Sequence, residues 1–210
     1  MKLEIKSAVI PLLAINILVF ALQIILGSKF TDSFILVSSD IFARPWILLT
    51  SMFLHAGINH IVLNMYALLI FGQILEQRIG AKRFLFIYLL SGIAAAFLSS
   101  FFYSSALGAS GAVMGVIGAL IILMPDLQLL LFFVVPMPLW IAGIIYAAMD
   151  MFGVFFPSGV GNIAHLVGMG IGLAYGFYLK KQSAKFYKKF TSKKHLESED
   201  IEEYLKTGRI

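Results

Sequence analysis

The sequence predicts an all-α polytopic membrane protein, a bundle of six transmembrane helices with both termini on the cytoplasmic side. Three observations carry this. Hydrophobic residues make up 60% of the chain and charged residues only 13%, outside the range of soluble domains. Six apolar runs, most of them close to the ~20 residues that cross a hydrocarbon core, are separated by polar turns. With the N-terminus inside, 14 of the 16 lysines and arginines fall in cytoplasmic segments and only Lys29 and Arg44 fall outside. That asymmetry accounts for the basic balance of the chain without a nucleic acid partner.

Span 1 is Ala8 to Gly27, with Pro11 in the first turn, where its missing N–H costs little. Met1 to Lys6 carries two lysines and no small-residue cleavage site follows, so a retained span is expected rather than a signal peptide. Ser28 to Ser51 is punctuated by Lys29, Asp32, Asp40 and Arg44 and is too mixed to cross; Trp46 beside Arg44 suits the aromatic belt. Span 2 runs from Ile58 to Gln77 and ends in a basic turn holding Arg78, Lys82 and Arg83. Span 3 is Phe84 to Tyr103, and only Ser104 to Leu107 separate it from span 4, Gly108 to Met124. Leu127 to Val135 is apolar but short and is stopped by Pro136-Met137-Pro138, which predicts a re-entrant or interfacial piece. Span 5 is Pro138 to Phe156, Pro157 to Gly161 turn the chain, and span 6 is Asn162 to Leu179.

Residues 1–180 thus form a membrane domain and 181–210 a charged cytoplasmic tail. The tail is basic as far as Lys194 and acidic from Glu197 to Glu203, where Asp200, Glu203 and Gly208 allow a short helix. Its basic half either touches anionic headgroups or only sets orientation. With no cysteine there is no disulfide, thiol nucleophile or Cys-ligated metal.

Inside these apolar runs the polar residues need explaining. Gly108-Ala109-Ser110-Gly111 puts a hydroxyl at the start of span 4 with little side-chain bulk around it. A helix beginning there leaves its first N–H groups without partners, aimed where an oxyanion would form beside an attacked carbonyl. Ser110 is therefore a candidate nucleophile; the other reading is a close-packing motif between helices. His165 lies three residues into span 6, which runs the same way as span 4, and so at similar depth. His60 and Asn64, four apart on one helical face, occupy the outer half of span 2. Gly111, Gly115 and Ala119 on span 4, and Gly168, Gly172 and Gly176 on span 6, form two small-residue stripes that predict close packing of these helices.

Polar groups at such depth are costly to bury and are functional candidates by default. Each also has a structural reading. His165 suits a hydrogen-bonded core histidine, Asn64 a tie between helices, and His55 a brace for the loop before span 2. Asp150, the one acid in the interior of a span, either packs and bonds on span 5 or completes a triad. There is no His-Glu-x-x-His and no carboxylate near His55 or His60, so neither metal nor cofactor is expected.

His55-x4-His60-x3-Asn64, Gly108-Ala109-Ser110-Gly111 and Ala164-His165-x2-Gly168-x3-Gly172, in that order on spans 2, 4 and 6, resemble the rhomboid family of intramembrane serine proteases. The resemblance covers about Ala8 to Leu179. It implies a six-helix rhomboid-like bundle, a catalytic dyad of Ser110 and His165 with no acidic third member, and an oxyanion hole of His60, Asn64 and the Ser110 N–H. It further implies hydrolysis of peptide bonds in single-span membrane protein substrates near the outer face, in a multi-pass protein of the cell membrane whose other partners are lipids. Span 5, with Trp140, Phe152, Phe155 and Phe156, is the candidate gate, and Pro157 to Gly161 its flexible cap; the other reading is that these aromatics only pack or face lipid. Two positions depart from the family pattern. The outer-loop Trp-Arg pair reads Arg44-Pro45-Trp46 here, and Met114 stands where many members pack a tyrosine on the catalytic histidine; a thioether can still contact an imidazole face.

A second class of function is a non-catalytic rhomboid-like protein that binds transmembrane helices for trafficking or degradation, a role that needs neither Ser110 nor His165. A small transporter is disfavoured by the lack of paired intramembrane charges and inverted repeats.

Overall fold

The computed structural model of the chain describes residues 7–131, 135–156 and 159–192. Helix α1 (Val9–Leu26) turns at Gly27 into the short α2 (Ser28–Phe34), and β1 (Leu36–Val37) and α3 (Ile47–Thr50) follow. Next, α4 (Ile58–Ala67) continues through a π-helical segment, Leu68–Gly72, into α5 (Gln73–Ile79) as one rod. After α6 (Ala81–Ser99) come β2 (Ser105–Ala106), α7 (Ser110–Leu123), β3 (Gln128–Leu131), β4 (Val135–Pro138), α8 (Leu139–Phe155) and α9 (Asn162–Ser192).

Among the described residues, four helices are long and apolar enough to cross a membrane: Val9–Leu26, Ile58–Ile79, Ala81–Ser99 and Asn162–Ala184. The other two expected spans are apolar but shorter, α7 with 14 residues and α8 with 17. Span 3 ends at Ser99 rather than Tyr103, because Phe101 and Phe102 are exposed in a turn beyond the helix and apolar character alone does not mark where a helix stops. The apolar stretch after span 4 is an antiparallel hairpin, with Gln128 opposite Pro138 and Leu130 opposite Pro136. Proline cannot donate to a ladder, which confines such a strand to an edge. At the other end α9 runs on through Lys180 and Lys181 to Ser192, so the first part of the expected tail prolongs span 6. Asp200, Glu203, Gly208 and His195 lie outside the described residues, as do Pro157 and Ser158 of the expected cap.

Helix α7 is the centre of the bundle. From Gly111 to Leu120 all but Ile117 are buried, as expected of a helix that is apolar on every face. The two small-residue stripes meet as the sequence predicts. A Cβ added to Gly168 would lie 2.0 Å from the Gly111 carbonyl oxygen, one added to Gly172 2.0 Å from that of Gly115, and one at Gly176 3.0 Å from that of Ala119. On its other side Gly115 faces Ser91 of α6. Large apolar side chains, among them Leu68, Leu75, Phe84, Tyr88, Leu120 and Leu179, fill the half of the bundle towards the C-terminus of α7. Polar groups gather towards its N-terminus. At the start of α1, Glu76 of α5 accepts hydrogen bonds from the Ser7 hydroxyl, at 2.7 Å, and from the Ala8 N–H; a carboxylate there complements the helix dipole.

The segment between α2 and α4 answers the question left by the inverted Arg-Pro-Trp order. Arg44 binds Asp40 Oδ2 at 2.7 Å and donates to the Asp32 carbonyl at 3.0 Å, while Trp46 is half exposed. Hydrogen bonds from Ser39 and Arg44 hold the Asp40 carboxyl below the usual carboxylate range. His55 is only 3% exposed, and Gln23 of α1 clamps its backbone, accepting from its N–H at 2.9 Å and donating to its carbonyl at 3.4 Å. The bonds are to the backbone: both ring nitrogens of His55 are buried without a hydrogen-bond partner among the described residues, so the imidazole braces the loop by packing at most.

Burial, and then the neighbouring His60, push the His55 imidazole down to about 4. The folded chain thus keeps His55 neutral where an unfolded histidine would charge, so stability is expected to decline as pH falls from about 6.5 towards 4. Thermal unfolding in detergent micelles over that range, compared between the parent and His55→Phe, checks this; the variant should lose less.

Candidate active site

The loop from β2 into α7 sets the surroundings of Ser110. The Gly108 N–H donates to the Ser51 carbonyl at 2.9 Å, and Gly108 itself sits at φ +126°, a conformation other residues rarely adopt. The first backbone bond of α7 runs from Val113 N–H to the Ala109 carbonyl at 3.0 Å. The N–H groups of Ser110, Gly111 and Ala112 therefore have no intrahelical acceptor. Ser110 stands at the first position of the helix, partly exposed, beside three donors.

Across from it, the His60 ring lies against Gly108, so that a Cβ there would come within 2.7 Å of His60 Cε1 and 2.9 Å of Nε2. His60 Nδ1 accepts from the Ala56 N–H at 3.2 Å, which leaves the ring proton of the neutral form on Nε2, the nitrogen that faces the loop. One helical turn on, buried Asn64 donates to the His60 carbonyl at 2.9 Å. Gly108→Ala is expected to destabilise the protein by about 1–3 kcal/mol, through backbone strain, and to displace His60. The midpoint of thermal unfolding and the rate of reporter cleavage are the measurements, and both should fall.

His165 enters from α9. The Ile163 N–H donates to the Tyr103 hydroxyl at 3.1 Å and the His165 N–H to the Gly161 carbonyl at 3.0 Å, fixing the first turn of that helix. A Cβ on Gly111 would lie 3.4 Å from the Ala164 carbonyl oxygen, so the residues next to Ser110 and next to His165 meet. Ser110, His165, His60, Asn64 and Met114 all line one cavity of about 960 Å³, together with Tyr146 of α8. The four predicted site residues are thus brought together from three helices. Ser110 and His165 share this chamber without a direct hydrogen bond; such bonds often tighten only when substrate binds. Among the described residues no group of three His, Asp or Glu stands together as a metal would require.

Asp150 was open to two readings, and its side chain lies at this site. It is buried on α8 with Oδ1 3.0 Å from His165 Nδ1. The sequence signal was its standing as the one acid in the interior of a span, Glu76 lying at the very end of span 2. The roles of Gln23, Ser51 and Tyr103, which hold the loops around the site, carried no such signal, because each acts through one long-range bond.

The fold and the chamber define a helical integral membrane protein whose polar residues meet at the N-terminus of a central, close-packed helix. A profile of the Rhomboid domain matches residues 43–182, and the chain belongs to the rhomboid family. It is 34% identical over 191 residues to Rhomboid protein 1, mitochondrial, of Saccharomyces cerevisiae, covering 86% of this chain and 55% of that protein. It is 48% identical over 80 residues to RHOMBOID-like protein 6, mitochondrial, of Arabidopsis thaliana, covering 37% of this chain and 26% of the relative. Rhomboid protease GluP of Bacillus subtilis is 47% identical over 78 residues, covering 36% of this chain and 15% of its own. The chain therefore spans about half the length of the first of these and about a quarter of the second.

Proposed function

We propose that the protein is an intramembrane serine endopeptidase that hydrolyses peptide bonds of single-span membrane proteins near the outer face of the bilayer. One observation carries this reading: Ser110, His165, His60 and Asn64, drawn from α7, α9 and α4, line the same cavity. Ser110 attacks the substrate carbonyl and His165 takes its proton, giving an acyl-enzyme that water then hydrolyses. The free N–H groups at the start of α7, the Nε2–H of His60 and the amide of Asn64 are the donors for the oxyanion.

The length of α7 supports the depth. Its 14 residues reach only about 21 Å, short of the ~30 Å hydrocarbon layer, so a helix anchored at one surface ends inside the membrane at the other. Six spans with both termini inside put the Ser110 end towards the outside, in keeping with the lysine and arginine asymmetry, and we assign the protein to the cell membrane. Its α8 presents Trp140, Phe152, Phe155 and Phe156 outwards, which suits a movable wall through which a substrate helix enters from lipid. A substrate helix hides its peptide bonds in backbone hydrogen bonds, so segments with weak helix formers are preferred.

Labelling of the full chain in micelles by a fluorophosphonate probe tests this: modification is expected in the parent and not in Ser110→Ala. A parent that resists the probe and leaves every transmembrane reporter intact belongs instead to the non-catalytic class that only binds helices, a reading the missing Ser110–His165 bond would then favour.

A further inference from the structure

The geometry points to Asp150 as the positioning residue of His165, a carboxylate on α8 that holds the imidazole through Nδ1 and so keeps Nε2 free to accept the Ser110 proton. This deepens the protease reading and rests on it.

The bond is a long-range one, 15 residues apart in the chain and 3.0 Å from Asp150 Oδ1 to His165 Nδ1. It joins two helices. Its surroundings say why a carboxylate stands there. Met149, Met151 and Phe152, the chain neighbours of Asp150, are 64%, 53% and 64% exposed on the apolar outside of α8, whereas Asp150 is 5% exposed and turned inward. An acid in that place is costly unless a partner receives it, and packing alone is served better by an apolar residue. His165 is its one hydrogen-bond partner among the described residues, since Oδ2 is buried with none.

A neutral imidazole carries one N–H, and the group bonded to one nitrogen decides which nitrogen that is. An ionised carboxylate accepts and cannot donate, so it places the proton on Nδ1 and leaves the lone pair on Nε2. That is the tautomer a base facing serine requires. As the Ser110 Oγ forms its bond to the substrate carbonyl carbon, its proton passes to Nε2 and the carbonyl π pair moves to oxygen. Collapse of that intermediate breaks the C–N bond, and the leaving amine takes the proton from Nε2. Water repeats the two steps on the ester and regenerates Ser110. Asp150 remains a carboxylate throughout, holding Nδ1–H and facing the transient imidazolium.

The test uses the full chain in micelles, labelled with ¹⁵N-histidine, as parent, Asp150→Asn and Asp150→Glu. Steady-state cleavage of a transmembrane reporter separates kcat from KM, and the ¹⁵N shifts of His165 report which ring nitrogen holds the proton. Asp150→Asn is expected to lose at least about tenfold in kcat, with KM within about twofold, while the His165 proton is no longer confined to Nδ1. Asp150→Glu should recover part of kcat. The proposal is overturned if Asp150→Asn keeps kcat, or if it loses activity while His165 remains the Nδ1–H tautomer. The tautomer measurement needs no turnover, so it judges Asp150 even for a parent that neither cleaves nor takes the serine probe, the outcome that removes the protease reading instead.

Discussion

Ser110→Ala is expected to lower cleavage of a transmembrane reporter by about 10⁶-fold, to below detection on a gel, with the fold intact. The size follows from what the hydroxyl does. Without it no acyl-enzyme forms, and only oxyanion donors and substrate binding remain to assist direct attack by water. The fold should survive because Ser110 is partly exposed and its Oγ makes no hydrogen bond among the described residues, so the change strands no partner. His165→Ala should be as severe, and the double variant no worse than either single one, because nucleophile and base act as one unit. Additive losses in the double variant would mean that the two residues work in separate steps and that the shared chamber misled us.

Gly168→Ala should be among the most damaging single methyl groups in the chain, and Gly170→Ala, two residues away, close to neutral. The added Cβ at Gly168 would lie 2.0 Å from the Gly111 carbonyl oxygen, against an ordinary C···O approach of about 3.3 Å or more, so α7 and α9 must part by about an ångström. Both atoms in collision belong to helix backbones, which cannot rotate away. A cost of about 3 kcal/mol or more is expected from overpacking of this kind. The damage also reaches the chemistry, because Gly111 follows Ser110 and His165 lies one turn before Gly168; a misplacement of about 1 Å costs on the order of 100-fold in rate. At Gly170 nothing lies within 4 Å of the added atom, and alanine is the better helix former there by about 0.5–1 kcal/mol. Unfolding temperatures of the pair in micelles decide it, and equal midpoints would show that the two helices cross elsewhere.

Much of this was legible in the sequence because the signals are local. Apolar run lengths bound each helix to within a few residues, and intervals of four at Gly111, Gly115 and Ala119 and at Gly168, Gly172 and Gly176 mark faces that must approach a partner. Counting also placed His60, Ser110 and His165 near the same end of their helices. What local signals could not supply was rotation. Helix α8 is apolar all round, so no contrast between its faces says which way Asp150 turns, and a triad remained only one of two readings until Leu139, Gly143 and Asp150 proved to be its buried stripe. The hairpin from Gln128 to Pro138 escaped for a related reason: its run is apolar throughout, and the alternation that betrays a strand is missing.

Taken alone, the chain of residues determined a helical membrane protein of this family, the glycine seam between α7 and α9, and the four residues from three helices that line one cavity. Hydrophobicity and small-residue spacing are properties of a segment by itself, and they survive any choice of neighbours. Tertiary structure decided the rest: where α7 begins, which side of α8 faces inward, that Gln23 and Tyr103 hold the loops, and that Asp150 reaches His165. Each of these depends on the packing of one helix against another, and a single bond across many residues leaves no period in the sequence to read.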